Sequence, residues 1–397
     1  MDAVITTHAR FRPVLIDRVE PEEVPPDLYA VLSASTTVLV GVLWDISWHQ
    51  SIGRDSFLSP PHIAIYVGGV VAGLACAIRV LRASFAPRPE DRDTSVGFWR
   101  LFRGPLGAWV CIWGAIAMVT SAPFDDWWHG AYGLDVKILS PPHALLAAGI
   151  GAINLGALLM VLPIQNRARD SVVRRRLSWM VAYAAGLLLL MIAIIVSEYH
   201  YRIFMQGSRF YVVAAIAFPI VLAAAGRAAG VRWPATSTAL VYTAVTLLMM
   251  WILPLFPATP RLAPVEIQVT RMVPPSFPLL LAVPAIGIDL VLRRFGDDGR
   301  DWALACVIGI LFVVAFIAAQ WPFSFFLMSD YAQNPLFAGD NFPYQVEKAS
   351  YYYRREFLPV DFDEWAFRGG LVTAMVLAIV SAWAGLAWGA WMRKVRR

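Results

Sequence analysis

Ten stretches of about 20 mostly apolar residues run along this 397-residue chain, and they limit its possible folds more than any other feature. They lie near 28–48, 61–81, 105–124, 142–163, 178–199, 210–229, 234–255, 275–295, 302–325 and 366–390. In hydrocarbon every backbone N–H and C=O needs an internal partner, so blocks of this length read as helices. Composition agrees: 58% of residues are hydrophobic and 15% charged, against about 25% charged in soluble proteins. A soluble enzyme, a disordered chain and a disulfide scaffold are excluded. The expected fold is all-α, a polytopic transmembrane helix bundle of about ten spans with the lipid bilayer as its solvent.

An even number of crossings puts both termini on one side. The tail residues Arg393, Lys394, Arg396 and Arg397 assign that side to the cytoplasm. Alternation then places most of the 33 Lys and Arg on the same side, in the loops Arg79–Arg103, Arg167–Arg176 and Arg293–Arg300. The net charge of +5 is therefore a topology signal, and no nucleic-acid partner is called for. The expected location is a bacterial inner (plasma) membrane.

Residues 1–27 read as a cytoplasmic lead rather than a signal peptide, since Arg10, Arg12 and Arg18 stand among acids without an apolar core. His8 reads there as a solvated side chain. Residues 28–165 form four spans and 166–397 six more, with an outer loop at about 329–365 that carries Tyr351, Tyr352 and Tyr353. That loop reads as a folded external cap, or else as a docking surface. Cys76, Cys111 and Cys306 each fall inside an apolar block, where cysteine acts as a small hydrophobe, and no CxxC pair exists.

Within the first four spans one pattern occurs twice. The first copy is Trp44-Asp45-Ile46-Ser47-Trp48-His49, then Gly53, Asp55 and Leu58-Ser59-Pro60-Pro61-His62. The second is Phe124-Asp125-Asp126-Trp127-Trp128-His129, then Gly133, Asp135 and Leu139-Ser140-Pro141-Pro142-His143. Four of the six histidines fall in these two windows. Each copy ends an outgoing helix, turns, and begins the next helix inward, so the copies are equivalent hairpin tips facing the periplasm or exterior.

The spacing has chemical content. Asp45 and His49, like Asp125 and His129, stand four residues apart and share one helix face. The Pro-Pro pairs suit a first helical turn, which brings His62 and His143 to the same tips. Asp45 and Asp125 sit near helix C-termini, where the macrodipole disfavours a carboxylate unless a cation compensates. His62 and His143 sit near N-termini, which favours neutral imidazole, the metal-binding form. An Asp four residues before a His also makes a plain interfacial ion pair, and Trp at span ends forms the ordinary aromatic belt. Recurrence of Asp, His and His at matching places favours metal binding. One carboxylate with two imidazoles suits non-haem iron, zinc or copper(II).

The pattern Asp-x3-His-x12-His at Asp45, His49 and His62 resembles the copper site of the C subunit of particulate methane and ammonia monooxygenases. A second copper site of that family has the form Asn-x3-His-x13-His, and Asp125, His129 and His143 reproduce its spacing. The resemblance covers roughly residues 28–165. It implies copper as cofactor at both sites, dioxygen activation for hydroxylation of a small apolar molecule or ammonia, and other membrane monooxygenase subunits as partners. This chain departs from the family in having Asp125 in place of Asn, in its greater length, and in lacking a soluble copper-binding β-domain. Two other functions stay open: copper or other metal acquisition, storage or delivery, with a copper chaperone as partner, and haem ligation by His pairs. A homo-oligomer is compatible with all three.

Further along, Glu198 and His200 end the fifth span and read as interfacial groups. Asp330 reads as a loop residue, and Asp289 as the partner of Arg293 one turn on. Asp55 and Asp135 read as turn residues, or as groups that orient a ligand histidine.

Overall fold

The computed structural model describes residues 23–53, 56–88, 91, 94–133, 140–197, 204–259, 269–296, 299–339, 357–358 and 362–396. His8, Asp55, Asp135, Glu198, His200, Tyr351, Tyr352, Tyr353 and most of the 329–365 loop lie outside the described residues. The described chain is a helical membrane bundle. In order come α1 (Pro26–Ser51), α2 (Pro60–Phe85), a small hairpin of β1 (Val96–Phe98) and β2 (Phe102–Gly104), α3 (Leu106–Tyr132), α4 (Pro141–Arg167) and α5 (Ser171–Val196). Then follow α6 (Ser208–Ala217), α7 (Pro219–Ala228), α8 (Pro234–Ile252), α9 (Ala282–Phe295), α10 (Asp301–Leu327) and α11 (Glu364–Met392). Nine of these segments, with α6 and α7 taken together, are long and apolar enough to cross a membrane.

The helix starts follow local chemistry. Proline opens α1, α2, α4, α7 and α8, where its missing N–H costs nothing. Asp170 caps α5 by accepting from Val172 N and Val173 N, both at 2.8 Å.

Two expected spans differ in detail. The sixth is one crossing made of two helices, because Pro219 cannot continue the hydrogen-bond ladder. Ser381 of α11 fills the gap: its hydroxyl accepts from Ile220 N at 3.0 Å and donates to Ile216 O at 2.8 Å. The eighth, expected as a helix over 275–295, is helical only from Ala282. Pro274, Pro275 and Pro278 forbid helix before it, since proline lacks an N–H and disfavours helical backbone in the residue ahead of it.

Irregular backbone at membrane depth is tolerated only where protein buries and satisfies it. Here Ser51 Oγ accepts from Val273 N at 2.7 Å, and Ser47 Oγ donates to Val273 O at 2.5 Å. Tyr242 Oη accepts from Leu279 N at 2.9 Å, and Gln320 Oε1 from Leu280 N at 3.1 Å. The segment begins beside the C-terminal end of α1, and Arg293 at its far end donates to Arg232 O just before α8. It therefore crosses the bundle, with one half extended and the other helical.

The first four helices pack as two antiparallel hairpins, α1 with α2 and α3 with α4, and α2 also packs on α3 and α1 on α4. Glycines set the distance between α3 and α4. A Cβ on Gly107 would lie 2.5 Å from Gly156 O, and one on Gly114 2.7 Å from Gly149 O. Gly107 and Gly114 are seven residues apart, as are Gly149 and Gly156, so the two backbones meet at matching heights. Across α1 and α4, Ser35 Oγ donates to Asn154 Oδ1 at 2.8 Å inside the core.

At the end of the bundle opposite the tips, Asn166 Nδ2 donates to Met392 O and Val395 O, both at 2.8 Å. Arg79 joins Asp27 at 4.0 Å and Asp91 at 3.2 Å. The start of α1 and the end of α11 thus lie at the same end. Asp289, expected to pair with Arg293, is buried and caps α8, with the Arg293 charge near enough to act on it but not in direct contact. Its carboxylate accepts from Ala235 N at 3.0 Å and from Thr236 N and Oγ1 at 2.8 and 2.7 Å. Four unpaired N–H groups at a helix start are a stronger claim on a buried carboxylate than a side chain that reaches solvent. Arg293 lies over the Trp233 ring at 3.7 Å. Asp330 begins a short 3-10 turn, Asp330–Ala332.

Candidate metal centre

Both hairpin tips bring their repeat residues together. At the first, Asp45 and His49 lie on the last turns of α1, and Asp45 Oδ2 is 3.7 Å from His49 Nε2. His62, in the first turn of α2, places Nε2 3.4 Å from Asp45 Oδ1. At the second, Asp125 and His129 lie on the last turns of α3, with Asp125 Oδ2 3.5 Å from His129 Nε2. His143, in the first turn of α4, has Nε2 3.5 Å from Asp125 Oδ1. In each pair of histidines, one comes from the Asp helix and one from the returning helix.

Tip two also closes three ways: one ligand atom from each of Asp125, His129 and His143 lies within 4.8 Å of the other two. Among the described residues this is the group that meets that condition. Tip one is more open, with the His49 side chain 51% exposed against 24% for His129.

The ring orientations carry further information. His62 Nδ1 lies 3.1 Å from Ser56 O, and His129 Nδ1 lies 3.1 Å from Gly133 O. A carbonyl oxygen only accepts, so Nδ1 holds the proton in both rings. In the neutral ring Nε2 is then a lone pair, and it faces a carboxylate oxygen, another acceptor. Two facing acceptors need a cation between them, either a second ring proton or a metal ion. A charge-assisted N–H···O bond is about 2.7–2.9 Å long. A tetrahedral ion with N and O ligands at about 2.0–2.2 Å holds its ligand atoms about 3.3–3.6 Å apart. The spacings of 3.4, 3.5 and 3.5 Å fall in that range and the 3.7 Å at His49 lies just beyond it, the two histidines of each tip facing different oxygens of the carboxylate. Asp125 Oδ1 and His143 Nδ1 are buried and have no hydrogen-bond partner among the described residues.

The surroundings hold these rings in place. Ser140 Oγ accepts from His143 N at 3.4 Å as the cap of α4. Tyr66 lies beside His62 at 5.8 Å between ring centroids. Phe124, Trp127, Trp128 and Tyr132 form an aromatic cluster at tip two, closest at 4.4 Å between Trp128 and Tyr132. Sequence reasoning missed the carbonyls of Ser56 and Gly133 as ring acceptors. The repeated glycine was the available signal: Gly53 has φ +97° and Gly133 φ +86°, a backbone region that favours glycine. Compared with models of known protein families, with curated proteins and with solved structures, the chain matches none.

Proposed function

We propose that this multi-pass membrane protein binds copper at its two hairpin tips and supports dioxygen activation, in the manner of the monooxygenase C subunit that its repeat resembles. The observation that carries the reading is tip two, where one ligand atom from each of Asp125, His129 and His143 lies within 4.8 Å of the other two; tip one repeats the same residue types in a more open arrangement. Asp45, His49 and His62 would hold one ion, and Asp125, His129 and His143 the other. Bound copper would supply one-electron and dioxygen chemistry that amino-acid side chains lack. The chain's own part is positional. Backbone carbonyls fix the His62 and His129 tautomers, a device that orients metal ligands generally. Asp125, where the family has Asn, adds a negative charge that favours the higher oxidation state. The tips would face the periplasm or exterior, with other membrane subunits supplying the rest of the oxygenase.

The half-exposed His49 favours a second reading, metal acquisition or delivery, because an accessible ligand allows rapid exchange. Elemental analysis of protein purified from membranes tests the shared premise, with wild type beside His49→Ala and His129→Ala. Two metal equivalents, with one lost in each variant, support the two-site reading. A wild type without copper, iron or zinc overturns it, and a Soret band would replace it with haem ligation. Co-purification with oxygenase-type subunits separates the first reading from the second.

A further inference from the structure

Away from both tips, three sulfur atoms meet in the core of the four-helix unit. Cys76 of α2 points its thiol at Met160 Sδ of α4, 3.6 Å away. The Cys111 thiol of α3 donates to Ile153 O at 3.6 Å and its side chain lies beside that of Cys76. All three side chains are buried. Gly156, one turn before Met160, makes the approach possible: a Cβ there would stand 2.5 Å from Cys111 Sγ.

Two thiols and a thioether form a donor set of one chemical kind. Soft sulfur ligands select monovalent copper over the harder ions that carboxylate and imidazole hold. With metal–sulfur bonds of about 2.3 Å, a trigonal ion spaces its sulfurs about 4.0 Å apart, close to the 3.6 Å between Cys76 and Met160.

The geometry points to a soft-metal site at Cys76, Cys111 and Met160 that takes Cu(I), or Ag(I) as its analogue. Binding breaks one S–H bond, forms the metal–thiolate bond and releases the proton to bulk. The second thiol and the thioether bind as neutral donors. One positive charge replaces another, so the buried site keeps its net charge and avoids the desolvation cost of an uncompensated ion. No electron is transferred. The site stands fourteen residues from His62 along α2 and fourteen from Asp125 along α3, about 21 Å below each tip at 1.5 Å per residue. Met118 is buried against Gly69 and Gly149, seven residues from both Asp125 and Cys111. It offers a thioether halfway along.

The test uses full-length protein in detergent, with Cys306→Ala to remove the third thiol and Asp45→Asn with Asp125→Asn to disable the tips. Ag(I) is titrated against a competing chelator, and X-ray absorption reads the ligands. The expected result is one equivalent with sulfur-only ligation, absent after Cys76→Ala with Cys111→Ala. Met160→Leu, which conserves volume, should weaken binding by about tenfold without disturbing the helical spectrum. No silver bound to the tip-disabled protein, or an unchanged equivalent in the double cysteine variant, overturns the assignment. The result is independent of whether the tips bind metal.

Discussion

Gly133→Ala isolates the orientation of one ligand from the presence of that ligand. Gly133 ends α3 at φ +86° and ψ −169°, a region that side chains reach at a cost of about 1–3 kcal/mol. A Cβ at this position would meet nothing within 4 Å, so the substitution acts through backbone conformation alone. Alanine drives the residue toward negative φ, and the carbonyl that accepts from His129 Nδ1 at 3.1 Å turns away. The ring then loses the bond that fixes its tautomer and aims Nε2 at Asp125. Loss of such a supporting bond costs about 10–100-fold in metal affinity, or about 1.4–2.7 kcal/mol. Competition titration with Cu(II) or Zn(II) should resolve a tip-two affinity lowered by that factor and a tip-one affinity unchanged, since His62 takes its orientation from Ser56 O. A Gly133→Ala protein that binds at tip two within twofold of wild type would refute the reasoning, because the carbonyl would then have no part in holding the ligand.

Gly114→Leu should force α3 and α4 apart, because Gly149 O, Ala152 Cβ and Ile153 N stand 2.7–2.9 Å from where the new Cβ must sit. Overpacking of this kind costs about 1–3 kcal/mol or more, and thermal unfolding in detergent should show it together with weaker metal binding at tip two. Tyr242→Phe removes the acceptor of Leu279 N in the extended half-span. A stability loss of about 1–3 kcal/mol is expected for the stranded N–H, and denaturant titration followed by helical circular dichroism would measure it. Ser35→Ala strips Asn154 Oδ1 of its donor across α1 and α4. The expected loss is about 0.6 kcal/mol, the average for hydrogen bonds between membrane helices; a shift above 3 kcal/mol would mean that the pair does more than join two helices.

Sequence alone determined what depends on neighbours along the chain. For nine of the ten apolar blocks, length dictated a helical crossing, because a lipid-exposed backbone must satisfy its own polar groups. The spacing of Asp45 to His49 and of Asp125 to His129 put each pair on one face, because helical pitch is the same everywhere. Pro60-Pro61 and Pro141-Pro142 announced the returning helices, so all six tip residues were legible from the order of amino acids.

Tertiary structure decided what depends on residues far apart. The block at 275–295 reads as a helix throughout, and its first part is extended instead, tolerated because Ser51, Tyr242 and Gln320 from three other helices take up backbone N–H groups in and just before it. The Asp125-to-His143 distance across the hairpin depends on the glycine contact between α3 and α4, well below the tip. Cys76, Cys111 and Met160 read as separate apolar residues until three helices pack and bring their sulfurs together. Local geometry repeats and can be read from spacing. An approach between helices is set jointly by every side chain at the interface, and no spacing along the chain encodes it.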